Sequence, residues 1–235
     1  MTTGGRGGAQ RIPRPPSFSE GGPAPWADLP AALRRLSLAD VRAACATLPA
    51  PSRGSGASPE TRPAAVLVAL FEEDGEARVI LTKRPETMPS HQGEIAFPGG
   101  KHEPGLDPDL RATALREAHE EIGVDRAEVR VLGRLSPLDI PVSGFTLYPV
   151  IAVADGRPAL RAADGEVERI LEVPLREMLD PARLRRRRAM RDGIEIDVPY
   201  FDLGPDELWG ATAMVLSEFL WLLGWRPPAP ADDEG

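Results

Sequence analysis

The sequence predicts an α/β/α sandwich in which a mixed sheet carries an acidic helix on one face and a C-terminal packing helix on another. Three observations predict it. The run Ala65 to Phe71 is continuously apolar and of strand length, as a strand buried on both faces should be. A stretch from about Pro108 to Ile122 has helical spacing. It places Glu117, Glu120 and Glu121 on one side and Leu115, Ala118 and Ile122 on another. A closing stretch repeats apolar residues at the same spacing: Leu208, Val215, Phe219 and Leu222, flanked by Trp209, Leu216, Leu220 and Leu223.

Residues 1–25 are rich in Gly, Pro and Ser, the composition of a disordered tail. Residues 26–63 hold one or two short helices, marked by Leu29, Leu33, Leu36, Val41, Ala44 and Leu48, and then a linker from Pro49. A single packed domain is expected over 64–225, since 235 residues organised this way leave little room for a second. After the first strand, Glu72 to Glu76 is a turn and Ala77 to Lys83 the returning strand. Gly93 to Phe97 is a short strand that delivers the Pro98-Gly99-Gly100 turn to the head of the acidic helix. Pro108 suits that helix's first turn, Asp107 its cap and Gly123 its end. Val129 to Leu135 and Phe145 to Val153 read as strands joined by a loop from Pro137 to Gly144. Val167 to Val173 is a further strand and Pro174 to Leu179 a short helix. Arg185 to Met190 and Ile194 to Phe201 flank Asp192-Gly193, a hairpin turn signal. Residues 226–235 form a polar tail.

Composition excludes several classes of function. A formal charge of −8 gives no global basic field for nucleic acid or an acidic membrane. The single cysteine, Cys45, rules out an intramolecular disulfide framework and suits a reducing compartment. No apolar run is long enough to span a bilayer, and the first residues lack a secretory apolar centre, so a cytoplasmic protein is expected.

The chemistry lies in the acidic helix. Three carboxylates so close repel one another, and Arg116, which can reach Glu120 one turn on, does not neutralise all three. A solvated acidic face is the ordinary alternative. A hard divalent cation resolves the repulsion, and Mg²⁺ is commonly held by a few carboxylates together with substrate phosphate oxygens. Glycines just upstream let backbone approach a ligand closely.

The run Arg116-Glu-Ala-His-Glu-Glu-Ile-Gly-Val124 resembles the end of the Nudix box, G-x5-E-x7-R-E-U-x-E-E-x-G-U with U aliphatic. Between Gly100 and Arg116 the chain has two residues more than that pattern, so its first acid falls at Asp107 or Asp109. Upstream, Leu81-Thr82-Lys83-Arg84, His91-x-Gly93 and Phe97-Pro98-Gly99-Gly100 resemble the coenzyme A pyrophosphatase branch of the Nudix hydrolase family. So do Glu166-Val167, Glu172-Val173-Pro174-Leu175 and Leu208-Trp209-Gly210-Ala211-Thr212-Ala213. Pro85 and Pro89 depart from the branch, which has Ser or Ala and a second Arg there.

The resemblance implies a Nudix-type sandwich and a Mg²⁺- or Mn²⁺-dependent diphosphatase. Its substrate would be coenzyme A or acyl-CoA, cleaved to 3′,5′-ADP and (acyl-)4′-phosphopantetheine; homodimers occur in the family. It casts Glu117, Glu120 and Glu121 as metal ligands, with a backbone carbonyl of Gly99 or Gly100 completing the shell. Glu117, Glu120, Glu166 and Arg116 form the expected catalytic set, Arg116 orienting Glu120. Glu166 is either an extra carboxylate facing the box or a solvated loop residue. Lys83, Arg84 and Lys101 are phosphate contacts or surface cations, with Gly99 and Gly100 also beside the substrate. His91 shapes the loop before the box, His102 is exposed and His119 has no role. Arg185 to Arg188 read as a charged edge strand, and Trp209 and Trp221 as helix packing, Trp209 alternatively lining a pocket. The competing readings are hydrolysis of another nucleoside diphosphate-X such as ADP-ribose, and a non-catalytic nucleotide sensor. The sensor predicts lost box acids, whereas all three helix glutamates and Arg116 are present.

Overall fold

The computed structural model describes residues 26–46, 48, 61–87, 92–140, 143–191 and 194–224, with backbone alone over 186–199. The predicted tails, the linker over 49–60, Pro89, His91, the Asp192-Gly193 turn and the side chains of Arg186 to Arg188 lie outside the described residues.

The first long strand, β1 (Arg62–Glu73), runs through the middle of an eight-stranded mixed sheet. It pairs antiparallel with β2 (Glu76–Lys83) and β4 (Gly99–Lys101), and parallel with β7 (Phe145–Ala154). Beyond β2 lie β3 (Ile95–Ala96) and β8 (Arg169–Pro174); beside β7 lie β5 (Val129–Arg134) and β6 (Leu138–Ile140). The continuous apolar run of β1 is explained by its two faces. Ala65, Leu67, Ala69 and Phe71 meet helix α2 (Leu110–Ile122) through Ala114, Leu115, Ala118 and Ile122. Val66, Val68 and Leu70 belong to the opposite core, which holds α3 (Leu175–Met178) and α4 (Gly210–Gly224). This is the α/β architecture expected, one helix layer on each face of a mixed sheet.

A separate three-stranded sheet, β9 (Leu184–Arg191), β10 (Ile194–Asp202) and β11 (Glu207–Trp209), leads into α4. The first described segment joins the same core. A 3-10 turn (Ala31–Leu33) precedes α1 (Leu38–Ala44), whose Ser37 and Asp40 form a reciprocal capping box. Ala77 N donates to the Leu36 carbonyl (2.7 Å) and Leu38 N to Glu72 Oε2 (2.8 Å), fastening the segment to the β1–β2 hairpin. Trp26 is buried and stacks on Phe201 at 6.2 Å.

Several boundaries differ from those the sequence suggests. The acidic helix begins at Leu110, so Asp109 caps it by accepting from Ala112 N, and Asp107 is free for another task. Gly99-Gly100 is strand rather than turn, because β1 is long enough to pair with it beside β7. The expected loop Pro137 to Gly144 contains β6, which pairs with β7. Leu208 and Trp209 lie in β11, before the closing helix starts. No described helix is long and apolar enough to cross a membrane.

Candidate active site

The site is built where β4 lies under α2. Gly99 has φ +156°, and a Cβ there would come within 2.3 Å of the Ala65 carbonyl oxygen. At Gly100 a Cβ would meet the Glu117 carboxylate at 2.5 Å. Only glycine permits strand and helix carboxylates to close to this distance. The approach is sealed by a hydrogen bond from Gly99 N to Glu121 Oε2 (3.0 Å). Glu117 and Glu121 therefore face β4, whereas the Glu120 side chain is 52% exposed and turns to Arg116. The three acids share one helical side, but they do not share one environment.

Arg116 is the hub. Its Nε and Nη2 donate to the two oxygens of Asp107 (both 2.9 Å), its Nη1 to Glu120 Oε2 (2.9 Å) and its Nη2 to the Lys101 carbonyl (3.1 Å). Glu117 Oε1 lies 3.0 Å from Nη2. The expected link to Glu120 is present, within a larger network. Of the two aspartates open from the sequence, Asp107 occupies the buried place facing Arg116. Thr113 Oγ1 and Glu103 N also donate to it (both 3.0 Å). Hydrogen bonding from Arg116 holds the Asp107 carboxyl down at about 2, and the pair raises Arg116 in turn. His102 is half-buried rather than exposed, its Nδ1 2.8 Å from Thr113 Oγ1. Thr113 was not singled out from the sequence; its place one turn before Arg116, at i−3, is the available signal.

Burial dominates the remaining acids. It pushes Glu121 up to about 7, against the opposing pull of the Gly99 N–H and Arg84; Glu117 and Glu166 push it further up. Glu117 is likewise raised by burial, with Arg116 opposing. The charges of Arg84 and Glu166 both act on Glu121, and Ala163 N donates to the Glu121 carbonyl (2.9 Å), three residues before Glu166. Among the described residues the buried Nε of Arg84 has no hydrogen-bond partner, and Glu166 is exposed at a loop tip.

Other candidates fall elsewhere. The Lys83 ammonium is spent on Asp206 (3.2 Å) and Glu168 (3.3 Å), which raises its pKa, so it is neither a surface cation nor a group held ready for phosphate. Alternation along β2 turns it away from its neighbour Arg84. Lys101 has an exposed side chain, and it is its carbonyl that serves Arg116. His119 Nδ1 lies 3.0 Å from the Val124 carbonyl at the helix end. Arg185 pairs with Asp202 (3.1 Å). Trp221 is about half exposed rather than buried. Burial pushes the Cys45 thiol up to about 11, as befits a structural residue.

Among the described residues no three acidic, histidine or cysteine side chains already form a cation cage. The donor set fits a hard divalent cation in a different way. Glu117 and Glu121 are crowded, partly desolvated oxygen donors, and Arg84 is the cation whose field reaches Glu121. Such a pair suits an ion that takes its other ligands from substrate and water.

A family model described as NUDIX domain matches residues 61–193. "Nudix hydrolase 22, chloroplastic" of Arabidopsis thaliana is 38% identical over 173 residues, covering 71% of this chain and 57% of its own length. The chain thus spans little more than half of that relative. The Nudix hydrolase NudL of Yersinia pestis is 35% identical over 159 residues, covering 68% of this chain and 78% of NudL. A MutT/nudix family protein from Enterococcus faecalis, solved by crystallography, aligns with 71% of this chain and 63% of its own at 19% identity and a TM-score of 0.43.

Proposed function

The chain belongs to the NUDIX domain family, and on that premise we propose that it hydrolyses a nucleoside diphosphate-X, in the finer reading coenzyme A or an acyl-CoA. The products would be 3′,5′-ADP and (acyl-)4′-phosphopantetheine. The observation that carries the diphosphate reading is Arg84. It ends the Leu81–Arg84 stretch that resembles the coenzyme A branch, its charge opposes the rise of the Glu121 carboxyl, and its buried Nε has no hydrogen-bond partner among the described residues. A guanidinium so placed is suited to an anion brought in with a cation.

In this reading Glu117 and Glu121, joined by Glu120 and the Gly99 carbonyl as the family pattern implies, would hold Mg²⁺ or Mn²⁺. The ion would supply charge neutralisation at the diphosphate, polarisation of phosphorus and acidification of water. Water oxygen bonds to one phosphorus, the bridging P–O bond breaks, and Glu166 accepts the water's proton. Arg116 keeps Glu117 and Glu120 aimed through its contacts with both. Gly99 and Gly100 allow substrate oxygens to reach the carboxylates, and Arg84 meets a phosphate oxygen. The retained box acids speak against a non-catalytic sensor.

One observation favours a second substrate. Pro89 stands where the branch carries its second Arg, which weakens the case for coenzyme A and leaves ADP-ribose as the alternative. Initial rates on coenzyme A and ADP-ribose, each with Mg²⁺ and Mn²⁺, test the choice. Faster turnover of coenzyme A is expected, and a marked ADP-ribose preference overturns it.

A further inference from the structure

We propose that Asp206 is a positioning residue for this reaction: by clamping Lys83 and Arg169 it fixes the loop that carries Glu166 opposite Glu121. The inference rests on the reading of Glu166 as proton acceptor given above.

The segment between β7 and β8 is pinned at both ends. At one end Arg161 N donates to the Ile122 carbonyl and Ala163 N to the Glu121 carbonyl (both 2.9 Å). Gly165, at φ +82°, completes a turn in which Val167 N donates back to Ala163 O (3.1 Å), with Val167 buried beneath it. At the other end Glu168 N donates to the Lys83 carbonyl (2.8 Å). Glu166 is thus suspended between the backbone of Glu121 and the backbone of Lys83.

The Lys83 end is under electrostatic load. Lys83 and Arg169 are register partners across β2 and β8, two cations facing each other where the loop enters the sheet. Side by side they repel. Asp206 resolves this from the other sheet. It precedes β11, its carbonyl accepts from Leu203 N (3.0 Å), and its side chain is only 6% exposed. One carboxylate oxygen takes the Lys83 ammonium and the other takes Arg169 Nη2. Glu168 completes the cluster on Lys83. Losing the Asp206 charge would leave two adjacent cations, part β2 from β8 at that end and let Glu166 drift from Glu121. Lys83 leads directly into Arg84, but Arg84 has its own anchor, its N donating to Glu94 O (3.0 Å), so loss of the clamp falls on the Glu166 loop.

A double-mutant cycle tests this. Steady-state kinetics on coenzyme A and ADP-ribose with Mg²⁺ are measured for Asp206→Asn, Glu166→Gln and the double variant. Asp206→Asn is expected to lower kcat about tenfold, to change KM by less than about twofold, and to add nothing in the Glu166→Gln background. Losses that multiply in the double variant overturn the proposal. Full activity of Glu166→Gln alone also overturns it, by removing the group the clamp serves. Glu121→Gln, assayed alongside, separates either result from failure of the hydrolase reading, because full activity there sinks the site itself. If Asp206→Asn does not fold, adding Lys83→Met removes the repelling pair and is expected to restore folding and kcat; failure to restore them overturns the clamp.

Discussion

Glu121 is a carboxylate that the fold holds under strain: buried, bonded to one backbone N–H, and close to two other acids. Its pKa of about 7 lies above the ordinary unfolded value near 4.3. The folded state therefore binds its proton more tightly, and the stability this lends is complete below that unfolded value and lost as pH rises through about 7. With chelator present, the thermal midpoint of the natural protein should fall between pH 5 and 8. The Glu121→Gln variant should lack this component and match or exceed the natural protein at pH 8. The same variant should lose on the order of a hundredfold or more in kcat, the scale of losing a group that stabilises transition-state charge. Unfolding curves with and without Mg²⁺, beside activity assays, check both outcomes. Asp107 has the opposite sign. Its carboxyl is held at about 2 by Arg116, so its contribution is present above about 3.9 and lost as pH falls toward 2. Asp107→Ala removes two hydrogen bonds from a buried guanidinium that keeps Glu117 and Glu120, and should cost about 2 kcal/mol in urea unfolding. The sequence identified Arg116 and the three glutamates as one group. It left Asp107 and Asp109 open, because the choice depends on where the helix starts and cap boundaries shift by a residue or two.

The two glycines of β4 make a contrast at the level of the element. At Gly99 an added methyl strikes the backbone of β1, which cannot yield, and φ +156° disfavours any side chain. Gly99→Ala should destabilise the protein by 2 kcal/mol or more, roughly the scale of overpacking added to backbone strain. At Gly100 the obstacle is the end of the Glu117 side chain, which can swing away. Gly100→Ala should keep its thermal midpoint within about 2 °C, on the order of 1 kcal/mol for a chain this long, yet lose most of its activity. Comparing melting and kcat for the pair checks this. The glycine strand was not legible because glycine is depleted in strands and Gly-Gly reads as a turn. Two further three-residue strands, β6 and β11, are too short for alternation to register. The long elements were legible, since β1, β7 and α2 carry their burial pattern in their own residues.

At the scale of the whole molecule, the segment before β1 belongs to the core. Trp26, Leu36, Leu38 and Val41 are buried with residues of β10, β11 and α4. Trp26→Ala should cost about 3–5 kcal/mol, and a chain reduced to the family-matched span 61–193 should fail to give a cooperative melt. Urea and thermal unfolding of these proteins provide the check. Sequence periodicity indicated that this segment leans on the main body. It could not indicate which surface receives it, because the partners lie far along the chain. The stack of Trp26 on Phe201 has a temporal consequence as well. The β1–β2 hairpin that receives Leu36 and Leu38 is made early, but Trp26 lacks its partner until Phe201 and α4 have emerged, so that apolar surface stays bare through much of synthesis. A nascent chain halted before residue 201 should therefore recruit holding chaperones around Trp26, and one extended through α4 should release them.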